Sequence, residues 1–284
     1  MDVDQLFNQH KPLMFTIAYQ MLGSVQDAED IVQDVYLQLK EAPITSIKHP
    51  KSYLIKMVSN KSLNLLQSAR SKREVYVGPW LPEPLVENVS DAPLDKIIKE
   101  ESISYAFTVI LHRLTDLERC VFLLRETLAF DYETISSILN RSEQSLRKVY
   151  SRARQKIKNE NVEMKRITNK EEQFIRLFIR GVETGDFDAF IKKLTENVIL
   201  TTDGGGKALA ALRPIFGKNR VVSFLKGLYS KGSLDGKFEL ITINGGYGMI
   251  HKRDGKPINV IILDIHGNQI QNIFCVLNPE KIMK

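Results

Sequence analysis

Apolar and polar residues follow two different periods along this chain. Through the first two thirds, apolar positions recur every three or four residues, the spacing of amphipathic helices. The last third changes to short apolar runs at 198–202, 238–243, 259–265 and 270–277, with a hairpin-turn sequence at 266–268. A further helix is predicted over 218–230. The pattern therefore predicts an all-α part followed by an α+β part.

Glycine and proline divide the chain at the same place. Only two of the sixteen glycines lie in residues 1–180, and four of the ten prolines lie between residues 79 and 93. Glycine is costly inside helices and useful in turns, so its distribution agrees with the change of period. We expect helical domains at 1–73 and 94–160, a Pro-rich linker at 74–93 and an α+β domain at 168–284.

The net charge of +6 over 284 residues hides an alternation. Residues 1–39 carry −5, residues 40–73 carry +7, residues 74–140 carry −7 and residues 141–169 carry +6. Two separate basic blocks indicate two places where phosphates could be met. Two solvated helix faces would give the same pattern, so both interpretations stay open.

Composition excludes several classes of protein. No apolar run approaches the ~18 residues of a membrane helix. The polar, acidic first residues are unlike a signal peptide. Cys120 and Cys275 lie far apart and have neither metal-site nor disulfide spacing. We therefore expect a cytoplasmic protein with no membrane partner, no metal site and no cofactor.

The first acidic block is concentrated on one predicted helix. Ser24 and Asp27 resemble a capping box at its start. Acids and amides then occur more often than capping requires. They either complement the helix dipole or form a docking face for a basic partner. This set is Asp27, Glu29, Asp30, Gln33 and Asp34.

The second basic block follows the pattern of a helix-turn-helix. Thr115 and Glu118 form a capping box for a helix at 115–128, and a short helix at 131–139 precedes Asn140, which tolerates the left-handed turn. Ser142 caps the next, basic helix. Such a helix reads DNA bases with its first turn and binds phosphates with later ones, although plain helix packing gives a similar pattern. The candidates are Ser142, Glu143, Gln144, Arg147, Lys148, Ser151 and Arg152.

Five motifs in order resemble one family. HKPLMFTIAYQMLGSVQDAEDIVQDVYLQL resembles region 2, and LTDLERCVFLLRETLAFDYETISSILNRSEQSLRKVYSRARQKI resembles region 4, of sigma factors of the extracytoplasmic-function (ECF) type. YVGPWLPEP, DGGGK at 203–207 and NPEKI at 278–282 resemble motifs of the ECF subgroup with a C-terminal SnoaL-like domain. The resemblance implies two all-α sigma domains followed by an α+β cone with a curved antiparallel sheet.

The resemblance also implies partners and roles. The acidic helix would dock on the clamp helices of the largest RNA polymerase subunit, with the flap as a second contact. The loop and helix at 44–64 would meet the −10 element, and the helix from Ser142 the −35 element. The −10 candidates are Thr45, Ser46, Lys48, His49, Tyr53, Lys56, Asn60, Lys61 and Asn64. Regulatory contacts between linker and C-terminal domain would involve Trp80, Leu81, Pro82, Asp203, Gly204, Gly205, Lys207, Asn278, Pro279, Glu280 and Lys281.

We predict an alternative sigma factor, not an enzyme, whose C-terminal domain regulates it, with a small-molecule or protein signal as input. One rival is a DNA-binding repressor that acts without polymerase, against which the acidic helix argues. The other is a SnoaL-type enzyme or ligand sensor fused to a DNA-binding module. Acid–base catalysis would need converging titratable groups, for which the candidates are Asp203, His251, Asp264 and His266.

Overall fold

The computed structural model describes residues 2–41, 49–73, 76–87, 103–160 and 170–282. They form two compact units. The helical unit contains the described residues up to 73 together with residue 103 and 107–160. The C-terminal unit contains 76–87, 104–106 and 170–282. The proline-rich segment 76–87, which we call the linker segment, is thus part of the C-terminal unit.

Seven helices make up the described part of the two segments that resemble sigma regions 2 and 4. Helices α1 to α3 precede the linker segment, and α4 to α7 follow it. Their bounds are α1 Val3–Leu22, α2 Val25–Glu41, α3 Pro50–Arg73, α4 Tyr105–Leu111, α5 Asp116–Phe122, α6 Tyr132–Leu139 and α7 Glu143–Asn159.

Local sequence signals set most of the helix ends. Gly23 takes the left-handed conformation after α1, with a φ of 68°. The Thr115 hydroxyl accepts from the Glu118 amide and the Glu118 carboxylate accepts from the Thr115 amide, so the predicted capping box is present. Asn140 ends α6 in the left-handed region with a φ of 52°. These ends agree with the sequence-based expectations.

The helix predicted over 115–128 is shorter than expected. Helix α5 stops at Phe122, and Leu123–Thr127 form a π-helical turn closed by a hydrogen bond from the Leu128 amide to the Leu123 carbonyl. All five residues from Cys120 to Leu124 are buried. A π turn rotates less per residue than an α-helix, which helps consecutive apolar side chains stay on the buried side.

A buried arginine joins two parts of the helical unit. Arg119 is 1% exposed. Its guanidinium donates to the carbonyls of Leu111 (3.0 Å) and Leu114 (3.3 Å), and to that of Met21 at the end of α1. Helix ends leave such carbonyls without intrahelical partners, so Arg119 satisfies acceptors on both sides.

The C-terminal unit is a seven-stranded sheet backed by helices. The strand order is β1-β4-β5-β6-β7-β2-β3. The helices are α8 Lys170–Thr184, α9 Asp188–Ile191 and α10 Lys218–Ser230, and a final 3-10 turn spans Pro279–Lys281. The strands are β1 Val86–Glu87, β2 Leu194–Asp203, β3 Ile215–Phe216, β4 Lys237–Ile243, β5 Gly246–Arg253, β6 Lys256–His266 and β7 Gln269–Val276.

The sheet confirms the expected α+β class but is not wholly antiparallel. Strand β2 pairs with β7 in parallel, from Ile199 opposite Asn272 to Asp203 opposite Val276. The alternation of apolar and polar residues determines which face a strand buries. It does not determine whether that strand pairs in parallel or antiparallel with a strand far away in sequence. Strands β1, β3 and β5 were not predicted; β1 lies among prolines and β5 begins with a glycine-rich stretch.

Large apolar side chains fill the space between the helices and one face of the sheet. Phe178 makes edge-to-face ring contacts with Phe190 (5.2 Å) and Phe238 (5.7 Å). Each fully buried side chain of this size contributes about 2–3 kcal/mol. The core also contains Phe174, Ile175, Phe187, Leu194, Val198, Leu200, Val221, Leu225, Met249, Ile261, Leu263, Ile270 and Ile273.

The linker segment completes the same unit. Strand β1 pairs antiparallel with β4, Val86 opposite Ile243. Tyr105, at the start of α4, lies edge-on to Phe274 at 5.8 Å and donates through its hydroxyl to the Pro82 carbonyl at 2.7 Å. The described part of the chain between the two sigma-like segments is therefore held along this sheet.

Neither a membrane-spanning helix nor a metal-binding cluster occurs among the described residues. None of their helices is both long and apolar enough to cross a bilayer. Within these residues no three His, Cys, Asp or Glu side chains are grouped as a metal site would require.

We expect Arg119→Ala to destabilise the helical unit by ~2–4 kcal/mol, because three carbonyls would lose their donor in a buried site. Urea unfolding followed by helical circular dichroism measures the effect. Fluorescence of Trp80, the single tryptophan, reports on the C-terminal unit in parallel. Arg113→Ala, which removes an exposed pair with Glu160, is the matched control. Equal destabilisation by both changes would contradict this role of Arg119.

Candidate nucleic-acid interface and linker site

The helix-turn-helix consists of α6, the turn at Asn140-Arg141, and α7. The Asp131 carboxylate accepts from the Thr134 amide at 2.8 Å, and the Ser142 hydroxyl accepts from the Ser145 amide at 3.4 Å. Both helix starts are thus capped by side chains, and the cap at Ser142 is the predicted one. The buried side of α7 holds Leu146, Val149, Ala153 and Ile157.

The opposite side of α7 is open and basic. A shallow groove of about 610 Å³ runs along it, lined by Gln144, Ser145, Arg147, Lys148, Ser151 and Arg152. Five of these six were predicted as −35 candidates, whereas Ser142 caps the helix and Glu143 pairs with Arg147 at 3.1 Å. Cations and short polar side chains on one exposed helix face suit phosphate and base-edge contacts in a major groove.

An aromatic ring holds Arg147 in place. The guanidinium of Arg147 lies 4.2 Å from the ring centre of Tyr132, and that of Arg125 lies 5.0 Å from the same ring. Tyr132 in turn meets Tyr150 edge-on at 6.2 Å. Cation–π contacts restrict the guanidinium without neutralising it. Tyr132 was not among the sequence-based candidates, because nothing in the sequence shows that two arginines meet over its ring.

The acidic helix α2 presents the expected face. Asp27, Glu29, Asp30, Gln33 and Asp34 are all exposed. Ala28, Ile31, Val32, Val35 and Leu39 point into the unit. The carboxylate of Asp34 accepts from Lys61 on α3 at 3.1 Å, and the others make no ion pair within the described residues. Four carboxylates on one exposed face suit a basic protein surface.

The −10 candidates do not form one cluster. Thr45, Ser46 and Lys48 lie outside the described residues. His49 and Lys56 are exposed and Tyr53 is half-buried on α3. Ser59, a polar residue next to the candidate Asn60, is fully buried and belongs to the packing of α3.

Two other −10 candidates face the helix-turn-helix. The Asn60 amide donates to the Ile138 carbonyl at 3.1 Å. Asn60 and Asn64 line a cleft of about 280 Å³ together with Leu139 and Arg141. Both sides of this cleft belong to the helical unit. In this conformation two of the −10 candidates lie next to the turn of the helix-turn-helix, directly before the helix that carries the −35 candidates.

In the C-terminal unit, Asp203 is the centre of the linker site. Its side chain is fully buried at the end of β2. One carboxylate oxygen accepts from the Tyr76 hydroxyl at 2.5 Å, and the other accepts from the Leu81 amide at 2.8 Å and from the Lys281 ammonium at 2.7 Å. We call Tyr76, Leu81, Asp203, Asn278 and Lys281 the Asp203 network.

Lys281 connects the last turn of the chain to the linker segment. Besides Asp203, its ammonium donates to the Leu81 carbonyl at 2.6 Å and lies 4.4 Å from the Trp80 ring and 5.1 Å from the Tyr76 ring. The Asn278 amide donates to the Tyr76 hydroxyl at 3.0 Å. Burial and the Asp203 carboxylate raise the pKa of Tyr76, which keeps its hydroxyl a donor.

The glycine-rich motif allows this approach. A Cβ on Gly205 would lie 2.5 Å from the Asn278 amide nitrogen, and its φ of 58° is unfavourable for other residues. The amides of Lys207 and Ala208 donate back to the Gly204 carbonyl, so the motif is an ordinary turn. Lys207 forms an exposed ion pair with Glu280, and Pro279 opens the final turn.

The four acid–base candidates do not converge. His251 is buried, stacks on Phe238 at 4.1 Å and bonds to the Asp235 carbonyl and the Asn259 amide. Burial lowers the pKa of His251. Asp264 and His266 do share one face as predicted, 3.1 Å apart. Asp203 is occupied by the linker segment, so these groups do not surround one substrate position.

Comparison with known proteins identifies the family. Residues 6–72 match the family Sigma-70 region 2, and residues 105–157 match Sigma-70, region 4. The chain is 33% identical over 240 residues to the ECF RNA polymerase sigma factor SigJ of Mycobacterium tuberculosis, covering 83% of this chain and 76% of that protein. The chain belongs to the ECF sigma factor family. It is therefore a transcription factor and not an enzyme.

Other relatives agree with this assignment to the ECF sigma factors. The probable ECF RNA polymerase sigma factor SigI of Mycobacterium tuberculosis is 26% identical over 198 residues, 69% of this chain and 68% of that protein. The crystal structure of Mycobacterium tuberculosis SigJ superposes with a TM-score of 0.80 at 26% identity, covering 99% of this chain and 98% of that one. The match includes the C-terminal α+β domain, whose fold class is confirmed.

We expect Tyr132→Leu, which keeps apolar bulk but removes the π face, to weaken duplex DNA binding ~3–10-fold, because Arg147 loses its orientation. Tyr132→Phe should change binding less than ~2-fold. Fluorescence anisotropy with a labelled duplex measures both. In the Arg147→Ala background, Tyr132→Leu should have little further effect. Additive losses would show that Tyr132 does not act through Arg147.

Proposed function

We propose that this chain is an alternative sigma factor that binds core RNA polymerase, directs promoter-specific initiation, and is regulated by its own C-terminal unit. The family assignment supports the first part. The Asp203 network carries the regulatory part, because it joins the linker segment to β2 and the last turn of the C-terminal unit through a buried, charged contact.

Polymerase docking is assigned to the exposed face of α2. Its acids lie on a helix whose other side is firmly packed, so the charged face is rigid and needs no reordering on binding. A basic, elongated surface such as that of the polymerase clamp helices would be complementary. The same face argues against a repressor that acts without polymerase.

Promoter recognition is assigned to two surfaces of the helical unit. Helix α7 offers its exposed basic groove to the −35 duplex, where Arg147 and Lys148 reach outward. Helix α3 and the residues before it would meet the −10 element, where Lys56 and Asn64 are exposed. Opened DNA bases need polar and aromatic side chains with nearby cations, which this segment carries.

Promoter binding requires the helical unit to open. The −10 and −35 elements are separated along the duplex by about 25 base pairs, roughly 85 Å at ~3.4 Å per base pair. Asn60 and Arg141 instead line one cleft in the closed unit. Polymerase binding would therefore select a conformation in which α3 has left α5 and α6.

The linker segment is the element that can restrain this opening. It is held at Tyr76 by Asp203, at Val86 by β4, and through Pro82 by Tyr105. The described part of the chain between α3 and α4 is thus bound along one sheet. Release of the Asp203 network would lengthen the usable linker and raise the fraction of open molecules.

Reversing the acidic face tests the docking assignment. We expect Glu29→Lys/Asp30→Lys to weaken binding to core RNA polymerase at least 10-fold, about 1.4 kcal/mol or more, and to abolish run-off transcription at low sigma concentration. Glu183→Lys/Glu196→Lys makes the same charge change on the C-terminal unit and should bind normally. Unchanged affinity of the α2 variant would refute the docking face.

Release of the linker tests the regulatory assignment. We expect Asp203→Asn and Lys281→Met each to raise transcription from a cognate promoter ~3–10-fold, because more molecules reach the open form. Asp235→Asn, an exposed change in the same unit, is the control. If both network variants transcribe like the parent while folding normally, regulation through this contact is wrong.

Single-molecule energy transfer measures the opening itself. Dyes on Gln38→Cys and Lys158→Cys report the separation of α2 from α7. Burial raises the pKa of both native thiols, Cys120 and Cys275, to about 12, so they should not react with the dyes. The Asp203→Asn variant should show a larger low-transfer population than the parent.

A further inference from the structure

The C-terminal unit carries an exposed apolar surface that neither promoter binding nor the linker site uses. Leu209 is 98% exposed, Leu212 69% and Phe216 57%, and Val77 of the linker segment is 50% exposed beside them. A Cβ on Gly78 would lie 3.9 Å from the Leu212 side chain, and one on Gly206 would lie 3.2 Å from Val77. We call Val77, Leu209, Leu212, Arg213, Phe216 and Arg220 the loop surface.

The backbone under the loop surface is held in place at both ends. Thr202 accepts from the Ala211 amide at 2.8 Å and donates to the Ala211 carbonyl at 3.1 Å. Ile215 and Phe216 then pair with β2 as the edge strand β3. The exposed side chains therefore stand on a fixed support. Clustered apolar side chains that a fixed backbone keeps in water are typical of binding surfaces.

The stretch of sequence that forms the loop surface is basic. Residues 204–234 contain six Lys and Arg and no Asp or Glu. Lys207 and Lys218 are paired with Glu280 and Glu196. Arg213 and Arg220 are exposed and have no ion pair within the described residues. Two uncommitted guanidinium groups next to apolar side chains are complementary to carboxylates flanking apolar residues.

We propose that the loop surface binds a protein segment that carries acidic and apolar side chains together, in the manner of an acidic amphipathic helix. Leu209, Leu212 and Phe216 would bury the apolar face of that segment, and Arg213 and Arg220 would bind its carboxylates. Val77 and Gly206 lie next to the Asp203 network, so such a partner would touch the linker segment. The proposal does not depend on the sigma-factor role.

Other occupants fit the surface less well. Bases stack on aromatic rings, and three of the four exposed apolar side chains here are aliphatic. Adsorption to anionic lipid usually takes a cluster of about four to eight cations, whereas the loop surface itself holds two cations without an ion pair, Arg213 and Arg220; Lys226 and Lys231 follow later in the sequence, at the end of α10 and after it. A second copy of the chain would have to supply the acidic partner face itself.

Selection from a displayed library of random 16-residue peptides on the immobilised full-length chain tests the proposal. The enriched peptides should have net negative charge and apolar residues three or four positions apart. In anisotropy titrations, a labelled enriched peptide should bind the Leu209→Ser/Leu212→Ser variant at least 10-fold more weakly and Arg213→Glu/Arg220→Glu at least 3-fold more weakly. Leu37→Ser, which changes an exposed leucine on α2, is the matched control.

Several results would overturn the proposal. These are a selection that enriches no peptides, enrichment of basic peptides, or equal affinity for the parent and Leu209→Ser/Leu212→Ser. Trp80 fluorescence verifies that the variants are folded. Three further results would assign the surface to a different partner and refute an acidic protein segment. They are self-association in sedimentation, binding to anionic vesicles and binding to random-sequence DNA, in each case abolished by Leu209→Ser/Leu212→Ser.

Discussion

The buried carboxylate of Asp203 is the constraint on which the C-terminal half of this protein depends. It accepts three hydrogen bonds from two separate parts of the chain: from Tyr76 and Leu81 in the linker segment, and from Lys281 in the last turn. An unpaired charge at this depth costs several kcal/mol, so the three partners hold one another in place. The aromatic rings around Lys281 add to the same contact.

This contact makes the linker segment part of a folded sheet and not a free spacer. A proline-rich connection between two DNA-binding regions is ordinarily a spacer, whose length and stiffness set how far the regions separate. Here the described part of the linker adds a strand to a sheet and lies along it. The closed cleft between α3 and the helix-turn-helix is then the second restraint, since Asn60 and Arg141 line it together. In the mechanism that we propose, both are released before two distant promoter elements are bound.

Sequence-based prediction succeeded where the determining contact is local. The capping box at Thr115, the left-handed Asn140 and the cap at Ser142 each depend on atoms within four residues. Amphipathic periodicity likewise placed the acids of α2 and the cations of α7 on exposed faces. The prediction was wrong for the end of α5, and the predicted antiparallel sheet did not anticipate the parallel pairing of β2 with β7. It missed β1 and β5, where proline and glycine obscure the pattern and pairing decides the structure.

The sequence by itself determined the family, the order of the domains and the residue types available at each surface, because motifs and periodicity are properties of neighbouring residues. Only the tertiary structure decided that Tyr132 supports Arg147, that Arg119 joins α1 to α5, and that Asp203 holds the linker. These contacts join residues far apart in sequence, up to 127 positions for Tyr76 and Asp203. Their geometry follows from packing and from the need to satisfy buried polar groups, which no local pattern records.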